Sequence, residues 1–285
     1  MTTKQRRAAV THLRASYPVS ERRACRLVRL SRSRWQHRSR RPSDAPLLAA
    51  LLTKAEDRPR WGYRRLAVLL ARDGWQVNHK RVLRVYRAAG LRLRKQRRRK
   101  QVSTPRVPRP VHDGPNTPWT LDFISDAFAD GRPFRVLSIV DECTRECLVL
   151  RPDVSYPSTR VVTVLDELAE VRGAPQRIVL DNGPELIAKA LDAWAYGAGV
   201  ELRHTRPARP VDNCYVESFH DKVRDECLNM HWFRDLAEAT AILEAYRLDY
   251  NTVRPHQSLG NRTPAEYAAS LEQNLELESA LTVPA

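Results

Sequence analysis

Residues 178–185 read Ile178-Val-Leu-Asp-Asn-Gly-Pro-Glu185, and this stretch decides the fold class. Three consecutive aliphatic residues bounded by turn residues are typical of a short strand buried on both faces, as in a parallel sheet covered by helices. The strand ends at Asp-Asn-Gly-Pro, because Gly and Pro interrupt regular structure. Asp181 thus follows the carboxyl end of a buried strand, where α/β sheets place reactive groups. The competing interpretation is an Asx turn without chemistry.

Three further segments with strand character come before this stretch. Residues 119–125, 134–140 and 147–150 are predicted strands, and a turn at Asp130-Gly131 joins the first two. Ser158 is the predicted N-cap of a helix that leads back to the 178–180 strand. The predicted arrangement is an antiparallel meander followed by a helical crossover.

A helix over about 185–197 and a fifth strand over 200–204 follow the Asp-Asn-Gly turn. Strands that alternate with helices in this order indicate an α/β domain. The predicted fold is therefore a mixed five-stranded sheet with flanking helices.

Two more carboxylates are candidates to act with Asp181. Glu217 lies on a predicted helix capped by Asp212 or Asn213, where His220 or Asp221 and Arg224 share its face. Asp122 lies in the first strand, although Asp126 and Asp141 also lie in or beside strands. A near-parallel placement of the first strand and the strand before Asp181 would bring Asp122 and Asp181 together.

Three carboxylates do not share a site unneutralised, so their gathering predicts bound cations. Hard oxygen ligands suit Mg²⁺, with Mn²⁺ as a substitute. Two such ions about 3.5 to 4 Å apart activate a water or a 3′-hydroxyl and stabilise the leaving oxygen of an in-line displacement. Asp122, Asp181 and Glu217 are therefore the candidate catalytic and metal-binding residues. For Glu217, an ordinary solvated helix face is the competing interpretation.

Charge is divided unevenly along the 285-residue chain, whose net charge is +16. Residues 1–110 hold 32 Lys and Arg against 5 Asp and Glu, whereas residues 111–285 hold 17 against 28. Arg predominates in the basic part, and its planar fork suits phosphate oxygens and guanine edges. A polyanion, double-stranded DNA, is the predicted partner.

The basic part also has apolar periodicity, which predicts folded helices. Ser20 and Ser31 are predicted N-caps of two short helices, the second of which would present Arg32, Arg34, Gln36 and His37 to a DNA groove. A second helical pair follows Pro59, and Asn78 is the predicted cap of its last helix. Predicted DNA contacts in and after this pair are Arg64, Arg65, Lys80, Arg81, Arg84, Arg97, Arg98, Arg99 and Lys100.

The predicted domains are a basic helical region over 1–42, a helix-turn-helix-like DNA-binding domain over 43–91, a basic Pro-rich linker over 92–114, a catalytic core over 115–270 and a tail over 271–285. The linker holds seven cations among residues 92–100, followed by Pro105, Pro108 and Pro110.

Neither a membrane span nor a secretory signal is predicted, because no apolar run approaches the roughly 20 residues that a span needs. A cytoplasmic, nucleoid-associated protein is expected. Five Cys without a Cys-x-x-Cys pair support neither a disulfide framework nor a zinc ribbon.

Longer motifs surround the three carboxylates. They are Arg60-Trp-Gly-Tyr-Arg-Arg-Leu66, Phe134-Arg-Val-Leu137, Asp181-Asn-Gly-Pro-Glu185, Val216-Glu-Ser-Phe219, Arg224-Asp-Glu-Cys-Leu228, Asp249-Tyr-Asn-Thr-Val-Arg-Pro-His-Gln-Ser-Leu-Gly260 and Thr263-Pro-Ala-Glu-Tyr267. With the order Asp122, Asp181, 35 intervening residues and Glu217, the chain resembles the second-reading-frame product (OrfB) of the IS-three family of bacterial insertion sequences. His220 departs from that pattern, since Asn is common there.

The resemblance implies an RNase H-like core of the retroviral-integrase type, with Asp122, Asp181 and Glu217 as its catalytic triad. Arg224 matches a basic position that contacts DNA near the active site. The implied reaction is Mg²⁺-dependent cleavage and strand transfer of element ends into target DNA, by a homo-oligomer. A separate upstream-frame DNA-binding product is a further implied partner.

Three other functions stay open at this point. The first is a DNA-binding regulator whose core no longer catalyses, and the second is a nuclease that only hydrolyses. The third is a tyrosine recombinase that uses Tyr215 or Tyr250 as its nucleophile.

Overall fold

The structure is a computed structural model that describes residues 1–38, 43–93, 114–205 and 214–281. Two compact units are present, residues 1–49 and residues 50–285. Most of the predicted linker, including Arg97, Arg98, Arg99 and Lys100, lies outside the described residues. The predicted caps Asp212 and Asn213 lie outside them as well.

Helices α1 (Thr3–Ser16), α2 (Glu21–Leu27) and α3 (Arg32–Gln36) lie in the first unit. Ser20 and Ser31 cap α2 and α3 through their side chains, which confirms both predicted N-caps. A small core of Val10, Ala24, Cys25 and Leu30 holds the unit together. Arg32 and Gln36 both donate to Glu21, so these two side chains bind α2.

Helix α4 (Ala45–Asp57) begins in the first unit and ends in the second, and it was not predicted. Helices α5 (Tyr63–Arg72) and α6 (His79–Ala88) follow and pack against each other. The Asn78 side chain accepts from the Lys80 amide at 2.8 Å, which confirms this cap. Apolar residues form the buried side of each helix, and Arg64, Lys80 and Arg84 lie on the exposed side.

The predicted mixed five-stranded sheet is confirmed. Its strands are β1 (Trp119–Ala127), β2 (Pro133–Asp141), β3 (Cys147–Asp153), β4 (Arg177–Leu180) and β5 (Glu201–His204), in the order β3-β2-β1-β4-β5. The meander of β1, β2 and β3 is antiparallel, whereas β4 pairs in parallel with both β1 and β5. The crossover from β3 to β4 places β1, the first strand, in the middle of the sheet.

Helices cover both faces of this sheet. They are α7 (Ser158–Arg172), α8 (Lys189–Ala198), α9 (Cys214–Glu226) and α10 (Leu236–Thr252), and α11 (Pro264–Leu281) packs against α10. Residues of β1 alternate between two cores, because successive side chains of a strand point to opposite faces. Leu121 packs with α7 and α8, whereas Ile124 packs with α9 and α10.

Several local predictions differ from the structure. Pro157, not Ser158, is the N-cap of α7, so Ser158 is already the first helical residue. Helix α8 begins at Lys189 instead of 185, because the amides of Leu186 and Ile187 still bind the Gly183 carbonyl within the turn.

Helices α10 and α11 were not predicted, and α11 runs through the domain end predicted at residue 270. Among the described residues, no helix is both long and apolar enough to cross a membrane.

Asn251 closes the outer edge of the sheet. Its amide accepts from the Cys147 backbone N–H and donates to the Cys147 carbonyl, both at 2.9 Å. Asn251 is buried at the carboxyl end of α10, so its side chain substitutes for a neighbouring strand at this residue. An uncovered edge would present these groups to other chains.

We expect Asn251→Ala to lower the free energy of unfolding by about 1 to 3 kcal/mol, because it leaves the buried Cys147 N–H without its partner and the Cys147 carbonyl with only the longer bond from Arg247 Nη1 at 3.3 Å. Chemical denaturation measures the loss. Thr252→Ala is the matched control, since Thr252 is the exposed neighbour on the same helix and its loss should cost under about 0.5 kcal/mol. Equal effects for the two variants would contradict this role for Asn251.

Candidate active site

The register of β1 on β4 brings Asp122 and Asp181 together. Leu121 pairs with Leu180 across the two parallel strands. The next residues, Asp122 within β1 and Asp181 directly after β4, therefore occupy equivalent positions on neighbouring strands, and such strands are about 4.8 Å apart. Parallel pairing of the strands before these acids is thus observed, as expected from the sequence.

Gly183 allows the Asp181 carboxylate its position in the turn. The Gly183 amide donates to Asp181 Oδ1 at 3.0 Å. A Cβ atom at residue 183 would lie 3.1 Å from the same oxygen and 3.4 Å from Glu185 Oε1. A side chain at residue 183 would therefore crowd these two carboxylates, which explains why glycine follows Asp-Asn in this turn. His204 Nδ1 lies 3.3 Å from the Asp181 carbonyl oxygen, on the neighbouring strand.

Glu217 lies in the first turn of α9, where a negative charge is favoured by the helix dipole. Val216, Phe219 and Val223 are buried on the side of α9 that contacts β1 and β2. Glu217 itself is exposed. Helix α9 therefore carries the third carboxylate to the side of the sheet where Asp122 lies.

Burial raises the pKa of Asp122 from 3.8 to about 6. The negative charges of Asp181 and Glu217 contribute to this rise, whereas the hydrogen bond from the Phe123 amide and the charge of Arg135 oppose it. The Phe123 amide donates to Asp122 Oδ1 at 2.7 Å. The three carboxylates thus interact electrostatically, and the charges of Asp181 and Glu217 disfavour the ionised form of Asp122.

His220 and Ser138 form a hydrogen-bonded pair beside Asp122. Ser138 Oγ donates to the Asp122 carbonyl at 2.9 Å and lies 2.6 Å from His220 Nε2. Since the hydroxyl proton is used on that carbonyl, we assign the proton on His220 to Nε2. The lone pair of Nδ1 then faces Asp122 Oδ2 at 3.7 Å.

Burial, and then Arg224, lower the pKa of His220 to about 4. His220 is therefore neutral at neutral pH, and its contact with Asp122 is not an ion pair.

Arg135 supports the site from β2. Its guanidinium lies over the Phe123 ring, 4.1 Å from the centroid, and forms an ion pair with Glu185. Although burial acts to raise it, the hydrogen bond from Arg135 holds the pKa of Glu185 below its ordinary value. This pair links β2 to the turn that carries Asp181.

The two other aspartates in or beside these strands, Asp126 and Asp141, have different surroundings from Asp122. Asp141 is fully buried and accepts from the amides of Asn116, Cys143 and Thr144, so it stabilises a turn. Asp126 lies four residues further along β1, about 13 Å away.

Sequence reasoning missed Ser138 and Arg135 as neighbours of the candidate site. Antiparallel pairing sets Ser138 opposite Asp122. Counting back from the Asp130-Gly131 turn could have identified Ser138, because the loop length of a hairpin fixes its register.

The chemistry of the donors fits a divalent cation, since all three are hard carboxylate oxygens. Within residues 1–38, 43–93, 114–205 and 214–281, no group of three or more His, Cys, Asp or Glu side chains is gathered to hold a metal ion. The carboxylates are thus close enough to affect one another but would have to converge to share an ion.

The predicted DNA-contacting cations occupy different surroundings. Arg224 is exposed on α9 beside His220, and Arg64, Lys80 and Arg84 are exposed on α5 and α6. Arg81 is half-buried. Arg65 is also half-buried, and its guanidinium forms an ion pair with Glu226 at 3.1 Å. Arg65 thus has an observed intramolecular partner, and its contact with DNA stays a prediction.

Family models match most of the second unit. An integrase core domain model matches residues 112–210, and a second integrase core domain model matches 198–264. An HTH-like domain model matches residues 47–100. The matched core begins before β1 and includes Asp122, Asp181 and Glu217.

The chain is similar to named proteins over most of its length. It is 43% identical to the insertion element IS407 uncharacterized 31.7 kDa protein of Burkholderia multivorans, over 90% of this chain and 93% of that protein. It is 29% identical to the transposase InsD for insertion element IS2 of Escherichia coli, over 81% of this chain and 80% of that protein.

A solved structure shares the fold. A chain of the simian T-cell lymphotropic virus intasome, in complex with PP2A regulatory subunit B56 gamma, matches with a TM-score of 0.50 at 15% identity. The match covers 79% of this chain and 74% of that chain.

We expect Asp122→Asn to stabilise the protein at pH 7.5 in the presence of a chelator. The folded-state pKa of Asp122 is raised, so its ionised form destabilises the folded chain above about pH 6. The interval from 3.8 to about 6 corresponds to about 3 kcal/mol. Below about pH 4 the Asp122 carboxyl group is protonated in the folded and the unfolded chain alike, so the gain in stability should disappear there. Denaturation at several pH values measures it.

Asp126→Asn is the matched control, because Asp126 lies on the same strand outside the carboxylate group. Its effect should stay within about 0.5 kcal/mol at every pH. A gain for Asp122→Asn that persists at pH 4 would show that charge is not its cause.

Proposed function

The chain belongs to the insertion-element transposases that carry an integrase core domain, and we propose that Asp122, Asp181 and Glu217 are its catalytic residues. The pairing of Leu121 with Leu180 carries this proposal, because it sets Asp122 and Asp181 side by side on two neighbouring inner strands of the sheet. Electrostatic interaction of Glu217 with Asp122 adds the third carboxylate.

The cofactor that we propose is Mg²⁺, with Mn²⁺ as a substitute, held by these three side chains. A divalent cation neutralises clustered carboxylates, activates the attacking oxygen and stabilises the leaving oxygen. The raised pKa of Asp122 supports this assignment, because a site that disfavours its own negative charge gains by binding a cation.

The proposed reaction has two displacements at phosphorus. A water oxygen first attacks a phosphodiester at an element end, the bond to the 3′-oxygen breaks, and that oxygen takes up a proton. The freed 3′-hydroxyl then loses its proton and attacks a phosphodiester of the target, whose own 3′-oxygen leaves. Neither displacement makes a bond between protein and DNA.

In this reaction the protein orients the three carboxylates and holds the DNA phosphate beside them. The Gly183 amide fixes Asp181, the Ser138 hydroxyl fixes the backbone of Asp122, and α9 presents Glu217 with Arg224 beside it for a DNA phosphate. A covalent mechanism through Tyr250 is disfavoured, because Tyr250 is only 2% exposed and its ring packs on Phe219.

DNA is held, in this proposal, by the domain predicted over residues 43–91 and by the basic linker over 92–114. Arg64, Lys80 and Arg84 are exposed cations of that domain. Joining two element ends to one target requires more than one catalytic core, so we propose a homo-oligomer. An upstream-frame DNA-binding product is a further proposed partner.

We expect Asp122→Asn, Asp181→Asn and Glu217→Gln each to reduce Mg²⁺-dependent cleavage and strand transfer at least about 1000-fold, because each removes a ligand charge from the transition state. Gel assays on labelled element-end DNA measure both steps, and anisotropy measures DNA affinity, which should change less than about threefold. Glu201→Gln is the control, since Glu201 is an exposed acid on β5. Its activity should match that of the unmodified chain.

The outcomes separate the competing functions. Full strand transfer by Glu217→Gln would remove Glu217 from the triad. Nicking without any joining would indicate a nuclease that only hydrolyses. Specific binding of element ends without nicking, with and without an upstream-frame product, would indicate a DNA-binding regulator. A protein–DNA adduct resistant to denaturant would establish a covalent mechanism instead.

DNA affinity should fall steeply with salt, by about 10³ to 10⁵ between 50 and 200 mM if six to ten phosphates are neutralised. Replacing Lys80 and Arg84 together with Gln should lower the slope of log K against log salt by about 2. Arg160→Gln is the control, because Arg160 pairs with Asp153 on the sheet domain. A flat dependence would show that the basic residues serve another partner.

A further inference from the structure

Glu226, the last residue of α9, is bound from two separate parts of the chain. Its carboxylate accepts from Trp61 Nε1 at 3.1 Å and from Arg65 Nη1 at 3.1 Å. Arg254 donates to both of its oxygens, at 2.8 and 2.5 Å. Trp61 and Arg65 come from the HTH-like region, whereas Arg254 follows α10. One carboxylate therefore joins three segments of the second unit.

This junction is buried and charged. The side chains of Glu226 and Arg254 are 8% and 2% exposed. Although burial acts to raise it, the hydrogen bonds and charge of Arg254 hold the pKa of Glu226 below its ordinary value. A buried carboxylate that stays ionised requires its partners, so the geometry of the junction is tightly constrained.

Neighbouring contacts hold the same region against the catalytic core. Arg58 forms an ion pair with Asp249 on α10. Arg72 donates to the carbonyls of Val253 and Asn261, at 3.3 and 3.4 Å, and to Glu266. Residues 58–72 thus contact α9, α10, the segment between α10 and α11, and the first turn of α11. The motif over residues 249–260, which the proposed reaction does not use, supplies several of these partners.

Helix α9 connects this junction with the active site. Glu217 and Glu226 are nine positions apart on one helix, about 13 Å along its axis. Between them, Phe219 and Val223 pack against the sheet. Because a helix of this length moves as a rigid body, a displacement at Glu226 also displaces Glu217.

We propose that Glu226 is a positioning residue through which residues 58–72 of the HTH-like region set the orientation of α9, and so of Glu217. The proposal rests on the catalytic role proposed for Glu217. It gives the region a second task besides holding DNA, since the catalytic helix is fully oriented only when Trp61 and Arg65 are docked on its end.

Trp61→Phe and Arg65→Met test this coupling without removing Arg254 from Glu226. Each deletes one donor to the carboxylate, and Trp61→Phe keeps an aromatic ring in the buried site. Asp225→Asn is the matched control on α9. Asp225 also forms an ion pair with this region, through Arg60, but both side chains are 46% exposed, and such pairs contribute little.

Hydrogen exchange of the full chain is the first measurement. We expect amides of residues 217–224 to exchange about tenfold faster in Trp61→Phe and Arg65→Met, and unchanged in Asp225→Asn. Exchange in residues 134–140 of β2 should not change in any variant. Arg65→Lys should restore part of the protection, because it retains a charged donor. Unchanged exchange in α9, or equal acceleration in β2, would overturn the proposal.

Cleavage of element-end DNA with Mg²⁺ is the second measurement. Trp61→Phe should lower kcat about tenfold with KM and DNA affinity unchanged, whereas loss of a DNA contact would raise KM. Arg65→Met, at a residue that is also a predicted DNA contact, should lower kcat to the same extent. A rise in KM alone overturns the positioning role. Absence of cleavage by the unmodified chain contradicts the proposed function, and in that case the exchange of α9 still decides whether the coupling exists.

Discussion

The candidate active site depends on the parallel pairing of β1 with β4. This pairing sets two aspartates from distant parts of the sequence side by side, one within β1 and one just after β4, with Leu121 opposite Leu180. It exists because α7 crosses from the edge of the antiparallel meander to the far side of β1. The apolar residues of β1 alternate between two cores, so both faces of the sheet must be covered before the aspartates have fixed positions.

The same arrangement costs stability. Burial and the negative charges of Asp181 and Glu217 disfavour the charged form of Asp122 and raise its pKa. The hydrogen bonds from Gly183 and Ser138 hold the site in place despite this repulsion. Repulsion among these carboxylates is expected of a site that binds a cation, because the cation neutralises their charge.

Much of the fold followed from local pattern. Ser20, Ser31 and Asn78 were predictable as caps, because capping is decided by a few adjacent residues. The five strands were predictable from their apolar runs. Two boundaries differed: the N-cap of α7 is Pro157 instead of Ser158, and α8 begins later than expected. Such boundaries depend on hydrogen bonds within turns, which the periodicity of apolar residues does not specify.

By itself, the sequence determined the sheet, the division of charge and the three carboxylates, since each is a matter of residue type and spacing. Only the tertiary structure distinguished the surroundings of Asp122 from those of Asp141, because strand register places Asp122 beside Asp181, whereas Asp141 accepts hydrogen bonds within a turn. Tertiary structure also gave Arg65 an intramolecular partner, Glu226, that lies 161 residues away. Contacts over such separations depend on how the chain packs, and no local pattern encodes them.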